Sequence, residues 1–491
     1  MNHRCRKHNS LAAGLHCPGA HDPLNVPSAV FFRATRADGT PQACQPGPGG
    51  NFIACEATFG RSNPMTWYNG ISLLGIFGLI AIAWLISENR KALRWKPVFG
   101  GLVVALAIGA FLFAWEGGHE VLKWLNNGFM VLVEASKAGG QFLFGRLALS
   151  PDEEGNLGPI LMFQVLPSIV FFSALIAVLY YFGLMGFLIR IFARIFSRLF
   201  RLSGAESVTT ASNIFVGVES ILTVKPHLKA LTRSELHMVL AAGMATVASN
   251  VMAAYYFILR DEFPNIVGHL ISATFISAPA AVVFAKMLVP EREQPETLGV
   301  NVHPHYERES SMIEAVINGA GNGLKLISGI VALLLAVLGL VALVNIFLQG
   351  GTEWISGGSL SLTLEGILGY VFYPFSIMIG VEPEQAMVAS QLIGERIIIT
   401  EFGSYGHMAA LIADGQINDR TAIIVSYVLC GFAHFASLAI FAGGITAIVP
   451  EKTKEVASVA IRALISANLA CLMTGAVAGL FYTGQSVLFS G

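Results

Sequence analysis

The chain has 491 residues and a formal net charge of −1; 54% of it is hydrophobic and only 12% is charged. Soluble domains carry about 25% charged residues, so a single water-soluble core is excluded. With 33 phenylalanines and a mean hydropathy of +0.64, the chain reads as an all-α polytopic membrane protein. The net charge says nothing about nucleic acid, and no basic patch interleaved with aromatics suggests it as a partner.

Residues 1–66 form a polar extension rich in Pro, Gly, His and Ser. It has no apolar core of a signal peptide, and its composition predicts disorder. No function is expected of it, and Met65, just before the first span, is a candidate start. Cys5, Cys17, Cys44 and Cys55 lie here at spacings that match no zinc pattern, open to disulfide pairing if exported. Cys430 and Cys471 fall in apolar helices and read as packing residues.

The region 67–206 opens with spans near 68–87 and 97–115. A mixed stretch, 118–148, reads as an amphipathic helix along the membrane; an acidic loop at 150–158 and a third span at 159–184 follow. In "GFLIRIFARIFSRLFRL", Arg190, Arg194 and Arg198 recur every fourth residue among Phe and Ile, the pattern of a basic interfacial helix. The region 207–295 holds a first interrupted segment and spans near 236–259 and 265–289. A polar connector takes 296–323. The last region, 324–491, holds a span near 324–348 and apolar segments near 365–381, 386–412, 420–448 and 456–482. Arg90, Lys91, Arg94 and Lys96 follow the first span, and the arginine-rich helix follows the third. If spans alternate, both lie on one side, which the positive-inside rule makes cytoplasmic, with the N-terminus outside.

Two segments are too short and too interrupted to span: "SNIFVGVESILTVKP" (212–226) and "SQLIGERIIITEFGSYG" (390–406). Each has an apolar lead, a glycine, a nearby carboxylate and a long apolar helix after it. Interrupted segments at corresponding places in two halves point to a transporter's midplane site, because bare backbone at that depth must be buried in protein or line a cavity. A charge there costs about 2.5–3.5 kcal/mol on insertion scales, which singles out Glu219 and Glu401. The bland alternatives are buried pairs, Glu219 with Lys225 or Glu395 with Arg396. Asn213 has the alternative of a helix cap, Thr246 that of a back-bonded core hydroxyl, and His434 that of a core donor.

At these residues the chain resembles the concentrative nucleoside transporter family. The likeness runs from about 68 to 482, carried by "SNIFVG…VKPHLKALTRSEL", "AAGMATVASNVMAAY", "ISAPAAVVFAKMLVPE", "GERIIITEFGSY" and "VLCGFAHFASLAIFAGG" in that order. The resemblance implies about eight spanning helices, two re-entrant hairpins and interfacial amphipathic helices, with an inverted-repeat transport domain and a homotrimeric assembly. It implies a sodium site at the Asn213 side chain, the Val216 carbonyl, the Thr246 hydroxyl and the Val247 carbonyl. The family's Gly-Gln-Thr/Ser-Glu reads Gly217-Val218-Glu219-Ser220 here, and the stretch from Gly217 to Pro226 is one residue shorter than the family's hairpin, with Glu219 aligned to the family's glutamate and Val218 near the missing amide. Val251 is placed against the base. Glu401 matches the glutamate that accepts ribose hydroxyls, with Thr400 in place of the usual Asn. Phe432 and Ser437 match the ring-stacking and ribose-contacting positions, and His434 replaces an asparagine.

The expected function is sodium-coupled import of nucleosides through the cell membrane, with no organic cofactor. The alternatives are a proton-coupled or substrate-shifted relative working through Glu219, Glu401 or His434, and a membrane enzyme or gating component. No HExxH, P-loop or GxSxG supports an enzyme.

Overall fold

The computed structural model describes residues 34–35, 41–42, 66–149, 155–157, 160–306, 309–359 and 361–484. In the N-terminal extension an antiparallel ladder pairs Ala34 with Gln42 and Thr35 with Pro41. The disorder expected over the rest of 1–66, and the four cysteines there, lie outside the described residues.

From Trp67 the chain is helical. α1 (Trp67–Leu85) opens on a capping box between Thr66 and Asn69, and α2 (Trp95–Ala114) follows. α3 (Glu116–Phe144) is the helix expected at 118–148. α4 (Leu161–Gln164) and α5 (Pro167–Tyr181) make the third apolar segment, and α6 (Leu184–Phe200) bears the arginines.

The first interrupted segment is a hairpin. α7 (Gly204–Asn213) runs in, the chain turns through 214–217, and a 3-10 stretch (Val218–Ala230) runs back. Pro226 cannot donate to an α ladder, and Val224 leaves helical dihedrals at φ −117°, ψ 15°, so the return arm stays in short 3-10 pieces. α8 (Arg233–Ala245), α9 (Ser249–Leu259) and α10 (Ile266–Leu288) come next. Both ends of the hairpin are fastened. Ser203 and Thr232 form capping boxes with Glu206 and Glu235, and Ser203 Oγ donates to Glu235 Oε1 at 2.5 Å. Lys286 of α10 pairs with Glu206 and donates to Ser234 Oγ at 3.1 Å.

The second half holds α11 (Met312–Ser356), α12 (Leu364–Met378), α13 (Pro383–Ile398), α14 (Glu401–Ala413), α15 (Asp419–Leu429), α16 (Phe435–Ile448) and α17 (Thr453–Phe481). The second interrupted segment turns at Ile399–Thr400, with α13 and α14 packed on each other as a second hairpin. Two segments that read as continuous are broken: 236–259 at Thr246–Ala248 and 420–448 at Cys430–His434. Apolar composition does not register these breaks, because both halves of each segment are equally oily. The 324–348 span extends to 45 residues, since hydropathy detects only its apolar centre.

Among the described residues seven helices are long and apolar enough to cross a membrane, taking Leu161–Tyr181 and Arg233–Leu259 as single spans across their breaks. The apolar segment expected near 420–448 is α15 and α16, pieces of 11 and 14 residues. The core lies around α8, α10 and α17: the apolar windows of Arg233–Leu259 and Ile266–Leu288 are 94% and 89% buried, against 6% for α11. α5 packs along α11. α1, α8, α10 and α15 gather around α17.

Candidate functional site

Both hairpin tips reach the α15–α16 break. A methyl group added to Gly217 would stand 2.8 Å from Ala248 Cβ, 3.9 Å from Glu219 Oε2 and 4.0 Å from Phe432 Cε2. The first tip therefore abuts both the α8–α9 break and the α15–α16 break, and the approach to Ala248 leaves room for glycine alone. From the second hairpin Glu401, the first residue of α14, is 2% exposed. Its Oε1 accepts from Tyr255 OH at 2.8 Å, and its Oε2 lies 3.0 Å from His434 Nε2. His434 caps α16, and its Nδ1 accepts the Ser437 N–H at 3.2 Å. In the neutral ring the proton is then on Nε2, but it is not aligned on Glu401, whose Oε2 is buried without a hydrogen-bond partner.

The ends of the helices sort by sign. α7 ends at Asn213 and α8 at Ala245, carboxyl ends that carry partial negative charge. α9, α14 and α16 present amino ends. Asn213 is fully buried, and neither Oδ1 nor Nδ2 has a hydrogen-bond partner. An orphaned buried polar group costs about 1–3 kcal/mol, so this amide is built for something besides packing. Thr246 Oγ1 donates to the Ala242 carbonyl at 3.2 Å; its lone pairs remain available. Val216 and Val247 are buried beside the same turn and break. Among the described residues no group of three or more His, Cys, Asp or Glu side chains is placed to hold a metal. The oxygens here are amide, hydroxyl and carbonyl, the set that suits a hard monovalent cation.

A cavity of about 410 Å³ reaches Val216, Glu219 and Asn250 from between α5, α11 and the connector, within the size range of small-molecule sites. Exposed Leu222, Lys225 and Tyr306 form its rim. Glu401, His434 and Ser437 lie behind the tip rather than on its wall. Val251 is buried, and the Val218 side chain lies outside the described residues. Ser437 Oγ donates to the Phe432 and His434 carbonyls, so in this conformation it braces the break.

The pair weighed for Glu395 is corrected: His407 Nδ1 stands 3.0 Å from Glu395 Oε2, and Arg396 turns inward. Fully buried, Arg396 donates to the Val428 carbonyl and, at 2.5 Å, to Asn468 Oδ1. Asn468 Nδ2 in turn donates to the Ala433 carbonyl at 3.1 Å. Thr400, ahead of Glu401, has φ +150° with its hydroxyl unpartnered, a region that disfavours β-branched residues and marks functional sites. Sequence reasoning missed Tyr255, Asn250 and Asn468. A polar side chain inside an apolar run was the only available signal for each.

The family model described as sodium-dependent nucleoside transporter C-terminus matches residues 269–479, its N-terminal counterpart matches 74–147, and a nucleoside-recognition Gate model matches 162–262. The chain is 36% identical over 411 residues to the transporter YutK of Bacillus subtilis, covering 83% of this chain and 98% of that protein. It is 34% identical over 417 residues to the nucleoside permease NupC of Helicobacter pylori, covering 84% and 97%. The solved structure of CNTnw in an inward-facing substrate-bound state superposes with a TM-score of 0.79 at 36% identity, covering 86% of this chain and all of that one. This multi-pass membrane protein belongs to the concentrative nucleoside transporter family, a family of transporters and not of enzymes.

Proposed function

We propose that the chain is a symporter that carries nucleosides into the cell together with sodium. The observation that carries the ion assignment is the Asn213 amide, buried without a partner where two carboxyl helix ends converge. Sodium held by Asn213, Val216, Thr246 and Val247 would fix the turn that carries Gly217 and Glu219. Substrate entering the 410 Å³ cavity would meet Glu219 first and, once the first tip shifts, offer hydroxyls to Glu401 behind it, since hydrogen bonds to charged acceptors are the strong ones. Phe432 supplies a ring face beside the tip, and Val251 an apolar wall. Because ion and substrate share one turn, each raises the other's affinity. In this reading the two hairpins are re-entrant, and the exposed apolar length of α11 is covered by further copies in a homotrimer.

A second reading has its own observation: His434 Nε2 stands 3.0 Å from Glu401 Oε2, a pair able to hold a transferable proton. Uptake of labelled uridine into vesicles separates the two. Replacing sodium by choline at constant pH abolishes uptake if the first reading holds. Uptake that survives choline, but collapses when the pH gradient is removed, overturns it in favour of the second.

A further inference from the structure

Helix α6 presents three arginines that no carboxylate answers among the described residues. Arg190, Arg194 and Arg198 are all exposed, and among the described residues none lies within ion-pair distance of an Asp or Glu. Beside them runs a second exposed stripe at the same spacing: Phe187, Ile191, Ile195 and Leu199 are 38–53% exposed. The opposite face, with Ile189, Ala193 and Phe196, is buried. A helix wetted on that outer face would not place four large apolar side chains in water, and one facing only acyl chains would not carry three guanidinium groups.

The arginines also border a built cleft. Arg190, Arg194 and Ser197 of α6 line it with Ser207 of α7 and with Asn301 and His303 of the connector. Its volume of about 30 Å³ admits one or two oxygen atoms rather than a whole solute. The connector is bonded to the base of the first hairpin, where Gly204 N donates to the Thr297 carbonyl at 2.9 Å and Ala205 N to Thr297 Oγ1 at 3.1 Å.

We propose that α6 and the connector form a binding site for the phosphate of an anionic phospholipid. The guanidinium forks of Arg190 and Arg194 grip the phosphate oxygens, a geometry arginine favours over lysine, and Arg198 adds a third positive charge. The acyl chains lie along Phe187, Ile191, Ile195 and Leu199. A bound lipid bridges α6, the connector and α7, and so steadies the hairpin base. The apolar stripe selects a lipid over a free phosphate, which has nothing to lay against it.

The test is thermal unfolding of the full chain in nanodiscs of phosphatidylcholine alone or mixed with phosphatidylglycerol. The mixed lipid raises the midpoint by about 2–4 °C. R190Q/R194Q/R198Q removes that rise without moving the midpoint in phosphatidylcholine, and the triple lysine variant retains part of it. Should the triple glutamine variant not fold, R194Q alone, expected to halve the rise, gives the decision. No rise with phosphatidylglycerol overturns the proposal, as does an undiminished rise in the glutamine variants. An equal rise from inorganic phosphate in phosphatidylcholine discs overturns it too, because the cleft then serves a soluble anion.

Discussion

Glu401 is the residue on which the second hairpin turns. Its carboxylate is held by Tyr255 on one oxygen and faces His434 with the other, so it is oriented before any solute arrives. Glu401→Gln keeps the shape and one acceptor, and loses the charge. A carboxylate contributes about 1.5–3 kcal/mol to a hydrogen bond, where a neutral acceptor contributes about 0.5–1.5. The expected outcome is at least tenfold weaker uridine transport, in protein that elutes and melts like the parent. Normal transport by Glu401→Gln would remove the sugar-reading role. Thr400 belongs to the same scale: its φ of +150° fixes where Glu401 starts α14, a feature no composition reveals.

Between elements, Arg396 acts as a strut. It rises from α13 and bonds the Val428 carbonyl at the end of α15, and through Asn468 of α17 it reaches the Ala433 carbonyl in the α15–α16 break. The guanidinium meets a helix carboxyl end, where positive charge is favoured, so it needs no carboxylate partner. Arg396→Ala leaves buried acceptors unpaired, at about 1–3 kcal/mol each. A melting midpoint lowered by several degrees is expected, with partial recovery in Arg396→Lys. If Arg396→Ala melts like the parent, the strut is ornamental. This residue also shows where reading the sequence stopped. Gly217, Glu219 and Glu401 were legible because glycine and charge interrupt an apolar pattern, and capping boxes such as Ser203 with Glu206 are written in local spacing. Arg396 and Glu395 are neighbours in sequence, which left their pairing open as the bland alternative. Their separation follows from helical rotation of about 100° per residue, which sends one side chain to His407 and the other into the core. The breaks at Thr246 and Cys430 were illegible for the same reason: they depend on what the partner helices supply.

At the scale of the molecule, two cavities lie at opposite ends of α5. The first is bounded by the end of α5, the connector and the first hairpin; the second, of about 390 Å³, lies between α3, α4, the α9–α10 turn and α14. Only the first touches Glu219 and Asn250. That end also carries α6, and Arg94 and Arg201 line a common cleft there, so the basic segments after the first and third spans share a side as alternation requires. The positive-inside rule predicts that this side is cytoplasmic, in which case the first cavity would open inward. Single cysteines test this directly in a background where the six native cysteines are replaced by serine or alanine. Asn322→Cys in the first cavity should react with a membrane-impermeant maleimide in inside-out vesicles and be protected by uridine with sodium. Gln164→Cys in the second cavity should react only from the outer face, and uridine should not protect it. Reversal of the two sides would invert the topology. Labelling of Asn322→Cys that uridine leaves unchanged would separate the cavity from the transport path, and with it the role of Glu219 as the first group a departing or arriving nucleoside meets.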